Sequence, residues 1–318
     1  MRVVIAGGAG ALGRRLATDF EGAGHDVVIL TRSPKSDLRF RQALWDGRAV
    51  GDWASELEGA IVVNLAGELV DRRPTATNIE LLRRSRVEPT AALAAASRAC
   101  GVPPRLWLQM STLAIYGDAG NDVIDETHPP ADGPPQMAGV ATAWEAATKA
   151  VVADRIVRLR TGVVLDNDTP AFNRLTRLAR WGLGGRMGPG DQWVSWIHID
   201  DFLASVRFLL DAQAVDGVVH VTSPNPVRNR DMMTELRRAV HRPWSPPMPA
   251  PLVHVGAVLL RTDPGLALTG RRCIPNVLDD AGFEFTHERF AGALDHLLTH
   301  AGTDRGSAKH RPAGALSG

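Results

Sequence analysis

Val3-Val4-Ile5-Ala6-Gly7-Gly8-Ala9-Gly10-Ala11-Leu12-Gly13 is the stretch on which the fold of this 318-residue chain turns. A short apolar run breaks into glycines, and helix-forming residues follow, so the stretch reads as a strand, a tight turn and a helix start. Gly7 supplies the positive φ of the turn, Gly10 lets the backbone approach a pyrophosphate, and Gly13 lets the helix lie close to the strand. The free N–H groups and positive dipole end of that helix suit phosphate. A second apolar run, Asp26-Val27-Val28-Ile29-Leu30, ends in Thr31-Arg32-Ser33, where the adenosine ribose of a dinucleotide belongs. An acidic residue there bonds a free 2′-hydroxyl, whereas an arginine suits a 2′-phosphate, so the sequence predicts NADP rather than NAD.

Working outward, 44% of the residues are apolar, enough for a large α/β core, and 36 basic residues against 35 acidic ones leave a net charge of +1. That balance gives no electrostatic reason to expect nucleic acid or a membrane surface as partner, and points to a small molecule. Cys100 and Cys273 lack metal-ligand spacing and read as free thiols, which places the chain in a reducing cytoplasm. The N-terminal apolar run is too short for a signal peptide, and no stretch reaches membrane-spanning length. Lysine is confined to Lys35, Lys149 and Lys309.

Further buried strands are expected at residues 60–65, 106–110, 155–160 and 218–222, with helical segments near 52–58, 77–100, 136–152 and 230–241 between or after them. Pro89 is expected to kink or divide the second of these helices. The alternation argues for an α/β fold, a Rossmann-type doubly wound parallel sheet, with a smaller C-terminal lobe. The expected division is an NADP-binding domain over 1–165, completed by about 194–223, a substrate-side lobe from 166–193 and 224–300, and a disordered tail over 301–318. Glycine-rich residues 182–190 form a loop bordering a pocket.

The turn at Gly7, Gly10 and Gly13, Ser111-Thr112-Leu113-Ala114-Ile115-Tyr116-Gly117 after a strand, and Trp196-Ile197-His198-Ile199-Asp200-Asp201 resemble the extended short-chain dehydrogenases/reductases. Asn64-Leu65-Ala66-Gly67-Glu68, Ser85-Arg86, Trp144-Glu145, Gly184-Gly185 and Gly282-Phe283-Glu284-Phe285 narrow the resemblance to the atypical group called epimerase family proteins, with a C-terminal domain of unknown function. The broad family implies a Ser or Thr, a Tyr and a Lys working together at a nicotinamide. Thr112, four residues before Tyr116, takes the hydroxyl position. If Glu145 marks the register, the tyrosine position falls on Met137 and the lysine position on Ala141, and neither side chain exchanges protons. Lys149 lies beyond that register.

The remaining proton-transfer candidates are Glu68, after the third predicted parallel strand, and Glu145, which also reads as an ion-pair partner. Tyr116 is expected to pack beside the nicotinamide or a loop as part of the substrate side, and Arg86 and Arg186 are the candidates for gripping a substrate anion. His198 is read as structural, ahead of a helix whose N-cap is Asp200 or Asp201. Asp125, Glu126 and His128 match no ligand spacing, and no metal is expected. Cofactor contacts are expected from Gly7, Gly10, Ala11, Leu12, Gly13, Thr31, Arg32, Ser33, Leu65, Ala66, Gly67, Ser111, Thr161 and Gly162. The expected activity is an NADP-dependent oxidoreductase or epimerase-like enzyme on a small polar substrate. The alternatives are an NADPH-binding regulatory or scaffold protein without turnover, or a cofactor-bound fold used for non-redox chemistry. A homodimer is left open.

Overall fold

The computed structural model describes residues 1–307 of the chain. Strand β1 (Arg2–Ala6) leads through the glycine turn into α1 (Ala11–Gly22), and β2 (Asp26–Thr31) and β3 (Arg41–Leu44) follow. Next come β4 (Ile61–Asn64), α2 (Ala76–Ala99) and β5 (Leu106–Thr112), then β6 (Val123–Ile124), α3 (Val140–Ala147) and β7 (Ile156–Thr161). After β8 (Val163–Leu165), α4 (Pro170–Arg180), β9 (Trp193–Val194), β10 (Trp196–His198) and α5 (Ile199–Asp211), strand β11 (Gly217–Val221) returns to the sheet. The C-terminal part holds β12 (Val227–Arg228), α6 (Asn229–Ala239), α7 (Ala250–Leu260), α8 (Gly265–Leu268), β13 (Arg272–Cys273), α9 (Asn276–Asp280) and α10 (Phe290–Ser307).

Seven of these strands form one sheet in the order β11-β7-β5-β4-β1-β2-β3. Every neighbouring pair is parallel, with Ile5 opposite Ile29 on one side and Val63 on the other. The strand order reverses direction between β1 and β4, and at such a switch point the carboxyl ends of the strands leave a crevice for a ligand. Successive residues of β1 face opposite layers, which is why the run is apolar without alternation. Val3 and Ile5 join Leu16 and Phe20 of α1, while Val4 and Ala6 join Trp53, Leu93 and Trp107. The first of these cores continues through Phe202 to Leu278, Phe290 and Leu294, so the C-terminal elements share it with the sheet. Three small strand pairs, β8 with β10, β9 with β12 and β6 with β13, attach the remaining segments.

Four local expectations change. Helix α2 runs unbroken through Pro89. The helix expected over 136–152 starts as a π turn at Pro135–Gly139 and ends in a 3₁₀ turn at Thr148–Ala150. The N-cap of α5 is His198, whose ring accepts the Asp200 amide, and Asp201 instead takes the amides of Thr286 and His287. Helix α10 extends to Ser307, into the tail expected to be disordered from 301, because each residue added to a formed helix gains a hydrogen bond without a new nucleus. The rest of that tail, 308–318, lies outside the described residues.

Candidate functional site

The glycine turn is built as the sequence predicts. Gly7 has φ +79°, and a Cβ on it would sit 2.8 Å from the backbone of Leu65. A Cβ on Gly13 would meet Gly8 Cα at 2.5 Å and Gly7 O at 2.6 Å, so only glycine lets α1 approach β1 this closely. Gly10 caps α1 with no side-chain bond to the helix amides, and the first turn carries no acidic residue. The amides at Ala11, Leu12 and Gly13 are therefore presented to an anion without a competing carboxylate.

At the tip of β2, Thr31 Oγ1 donates to Ser33 O at 2.8 Å and fixes the turn that carries Arg32. The Arg32 side chain is 76% exposed, and its nearest charged partner is Glu68 Oε1 at 3.9 Å. Glu68 Oε2 is taken by Arg72 at 3.1 Å. Both carboxylate oxygens of Glu68 thus face guanidinium groups, at the arginine end of the crevice.

The segment after β4 is clamped from below. Asn64 Nδ2 donates to Thr90 Oγ1 and Gln109 Oε1, and its Oδ1 accepts the Ala66 amide. Arg86, expected to grip a substrate, is 8% exposed and donates to Leu82 O and Glu68 O while stacking over Trp144. Burial pushes its pKa down to about 10. Both of its terminal nitrogens donate to the chain, and its side chain lies against Gly67. A Cβ on Gly67 would lie 3.1 Å from Arg86 Cζ.

At the ends of β5 and β7 the structure assembles a buried polar chain that sequence reasoning missed. Ser111 Oγ donates to Glu145 Oε1 at 2.6 Å. Arg160 grips the same carboxylate with Nε and Nη2 at 2.9 and 2.8 Å, and donates Nη1 to Tyr116 Oη at 2.6 Å. Tyr116 Oη meets His220 Nε2 at 2.6 Å, and His220 Nδ1 meets Ile274 O at 2.9 Å. A carbonyl only accepts, so Nδ1 carries the proton and Nε2 accepts from the phenol. Burial raises the Tyr116 pKa. Tyr116, expected on the substrate side, is a fully engaged connector.

Thr112 stands apart from these buried neighbours. It is half-buried, its Oγ1 accepts the Ala114 amide at 3.2 Å, and the hydroxyl hydrogen is left to donate. Met137 lies half-buried on the π turn, Ala141 is buried on α3, and Lys149 is exposed. Thr161 Oγ1 donates to Leu159 O, and Gly162 closes tightly on Ser195, where a Cβ would lie 2.8 Å from its carbonyl oxygen.

Arg186 is exposed and folds back on its own loop, donating to Pro189 O at 2.6 Å. The glycine-rich loop does border a cavity of about 430 Å³, whose lining includes Asp118, Asn121, Asp191, Gln192, Arg228 and Arg230. Arg228 and Arg272 both lie over the Trp193 ring, at 4.4 and 4.7 Å from its centroid. In the cavity Arg228 and Arg230 are matched by Asp118 and Asp191, and Arg230 pairs with Asp191 at 2.5 Å, so its lining is charge-balanced.

Buried His220 is expected to contribute to acid sensitivity. Burial lowers its pKa from 6.5 to about 4. Between those values the unfolded chain binds a proton that the folded chain refuses, so the contribution of this histidine is complete above about pH 6.5 and is lost as the pH drops toward 4, by about 3 kcal/mol. Buried His198, lowered in the same way, adds to the loss. Urea denaturation at pH 7 and pH 4.5 should show this loss, and His220→Gln should shrink it; an unchanged loss in the variant would assign the effect elsewhere.

The fold and the site define an atypical short-chain dehydrogenase/reductase. The family described as NAD dependent epimerase/dehydratase matches residues 3–150, and a domain of unknown function, DUF1731, matches residues 248–297. An epimerase family protein of Mycobacterium bovis is 33% identical over 305 residues, covering 94% of this chain and 98% of its own length. The epimerase family protein SDR39U1 of Homo sapiens is 31% identical over 303 residues, covering 94% of this chain and all of its own. The crystal structure of human SDR39U1 (isoform 2) with NADPH superposes with a TM-score of 0.81 at 28% identity, over 94% of this chain and 99% of that one. A nucleoside-diphosphate sugar epimerase from Corynebacterium glutamicum gives 0.73 at 29% identity, over 98% of this chain and 62% of that one. The chain belongs to the epimerase family of these proteins. Among the described residues, no helix is long and apolar enough to cross a membrane.

Proposed function

We propose that the protein binds NADPH across the switch point of its sheet and acts on a small polar substrate held between the sheet and the C-terminal lobe. The glycine cradle carries the reading: Gly7, Gly10 and Gly13 leave a backbone surface that any Cβ would fill or break. Amides of Ala11 and Leu12 face the pyrophosphate, Thr31, Arg32 and Ser33 the ribose phosphate, Leu65 to Gly67 the middle of the cofactor, and Ser111, Thr161 and Gly162 its nicotinamide end. NADPH supplies a hydride when bound. Human SDR39U1, crystallised with NADPH, supports the choice.

Thr112 donates its hydroxyl hydrogen to a substrate oxygen and so fixes it in place. Met137 and Ala141 carry no exchangeable proton, and Glu145 is locked by Arg160 and Ser111. Protons therefore arrive from water or from the substrate itself, without the roughly 10²–10⁴-fold contribution of a positioned base. The missing base equally favours a second reading, an NADPH-binding protein without turnover. The free thiols Cys100 and Cys273 fit a cytoplasmic setting.

Calorimetric titration separates the parts. Arg32→Asp is expected to weaken NADPH by about 10- to 100-fold, the worth of a charge-assisted contact, while leaving NADH nearly unchanged. Equal losses would show that Arg32 merely supports the turn. Tight NADPH binding without oxidation across a panel of carbonyl compounds would favour the second reading.

A further inference from the structure

Three histidines that the nucleotide crevice does not use meet at the start of α5. His198 ends β10 and is fully buried, His287 comes from the loop before α10, and His296 stands on α10 itself. Their ring centroids lie 3.8 Å (198 to 287), 5.0 Å (198 to 296) and 4.7 Å (287 to 296) apart. His198 Nε2 is 3.2 Å from His296 Nδ1. Asp200 Oδ2 is 3.5 Å from His287 Nε2 and 3.9 Å from His296 Nδ1. One ligand atom from each of the four residues lies within 4.8 Å of all the others.

We propose that His198, Asp200, His287 and His296 bind one divalent transition-metal ion of the zinc, cobalt or nickel class. An ion about 2.0–2.1 Å from each of four tetrahedral donors holds those donors about 3.4 Å apart; the separations of 3.2, 3.5 and 3.9 Å bracket that value, and the other pairs lie within 4.8 Å. The same ion holds ring centroids about 5 Å apart, so two of the three ring pairs already fit and the His198–His287 pair opens by about 1 Å. Three imidazoles and one carboxylate select a borderline ion over calcium or magnesium, which require oxygen ligands. Asp201 steadies the site by accepting the backbone amides of Thr286 and His287, which orients the segment that carries His287.

One rearrangement accompanies binding. His198 Nδ1 accepts the Asp200 amide, so the neutral ring carries its proton on Nε2, aimed at His296. The ion takes that place, the ring proton passes to Nδ1, and the capping bond is released. In exchange the ion ties α10 and its preceding loop to the head of α5, so the metal stabilises the folded chain by mass action.

The test uses the full chain, stripped with a chelator and desalted. Calorimetry with Zn²⁺ is expected to show one ion per chain with roughly micromolar or tighter affinity, and Co²⁺ to develop the visible absorption of a four-coordinate site. Excess Zn²⁺ should raise the melting temperature. Asp200→Asn combined with His296→Ala should weaken binding about 100-fold or more and abolish the cobalt spectrum, while His254→Ala, an exposed histidine elsewhere, leaves both intact. Equal melting of chelated wild type and double variant shows that the variant is folded. Millimolar binding in the wild type, or binding that survives in the folded double variant, overturns the proposal; if the double variant melts early, His296→Ala alone replaces it with the same two outcomes.

Discussion

Replacing Glu145 by alanine is expected to destabilise the protein by about 3–5 kcal/mol, because it strands the buried Arg160 guanidinium without its carboxylate. Arg160 and Glu145 side chains are 5% and 12% exposed, so water does little to screen the loss. Ser111 loses its acceptor in the same step. Guanidinium chloride denaturation at pH 7 measures the effect. The companion variant, Glu145→Leu with Arg160→Met, removes both charges and is expected to recover a large part of the stability, since a buried pair replaced by apolar residues of similar volume costs far less than a broken one. A loss below about 1 kcal/mol in Glu145→Ala would mean that the pair behaves as an exposed one.

Gly13→Val is expected to damage fold and binding together. Its Cβ would lie 2.5 Å from Gly8 Cα and 2.6 Å from Gly7 O, and both are backbone atoms that no rotamer change can move aside. Overpacking of this kind costs about 1–3 kcal/mol or more, and here the strain falls on the turn that presents the amides. NADPH binding should become undetectable by calorimetry. Gly10→Ala is the informative contrast: its Cβ would meet only Gly7 O, at 3.3 Å, so the fold should survive while the added methyl obstructs the pyrophosphate. Wild-type affinity in Gly10→Ala would place the phosphates elsewhere.

The parallel strands were legible because sheets covered on both faces demand unbroken apolar runs, as at Val27 to Leu30 and Ile61 to Val63. The turn was legible because each glycine answers a separate steric demand. What escaped was held together by residues distant in sequence. Glu145 sits on a helix and Arg160 on a strand, and no periodic rule links them to Tyr116 or His220. Arg86 looked available because arginine is mostly exposed, yet Trp144 and the carbonyls of Leu82 and Glu68 take it inside. His198 proved to be the cap because its ring nitrogen accepts the Asp200 amide, while both aspartates already lie within the first turn and Asp201 takes the amides of Thr286 and His287.

Phe290 and Leu294 sit in one continuous oily interior with Val3 and Ile5, although nearly the whole polypeptide separates them. Synthesis from the ribosome must therefore reach the last helix before the far end of that interior is closed. Any fragment cut to isolate the nucleotide-binding half would carry a raw greasy scar and should precipitate rather than persist as a working module.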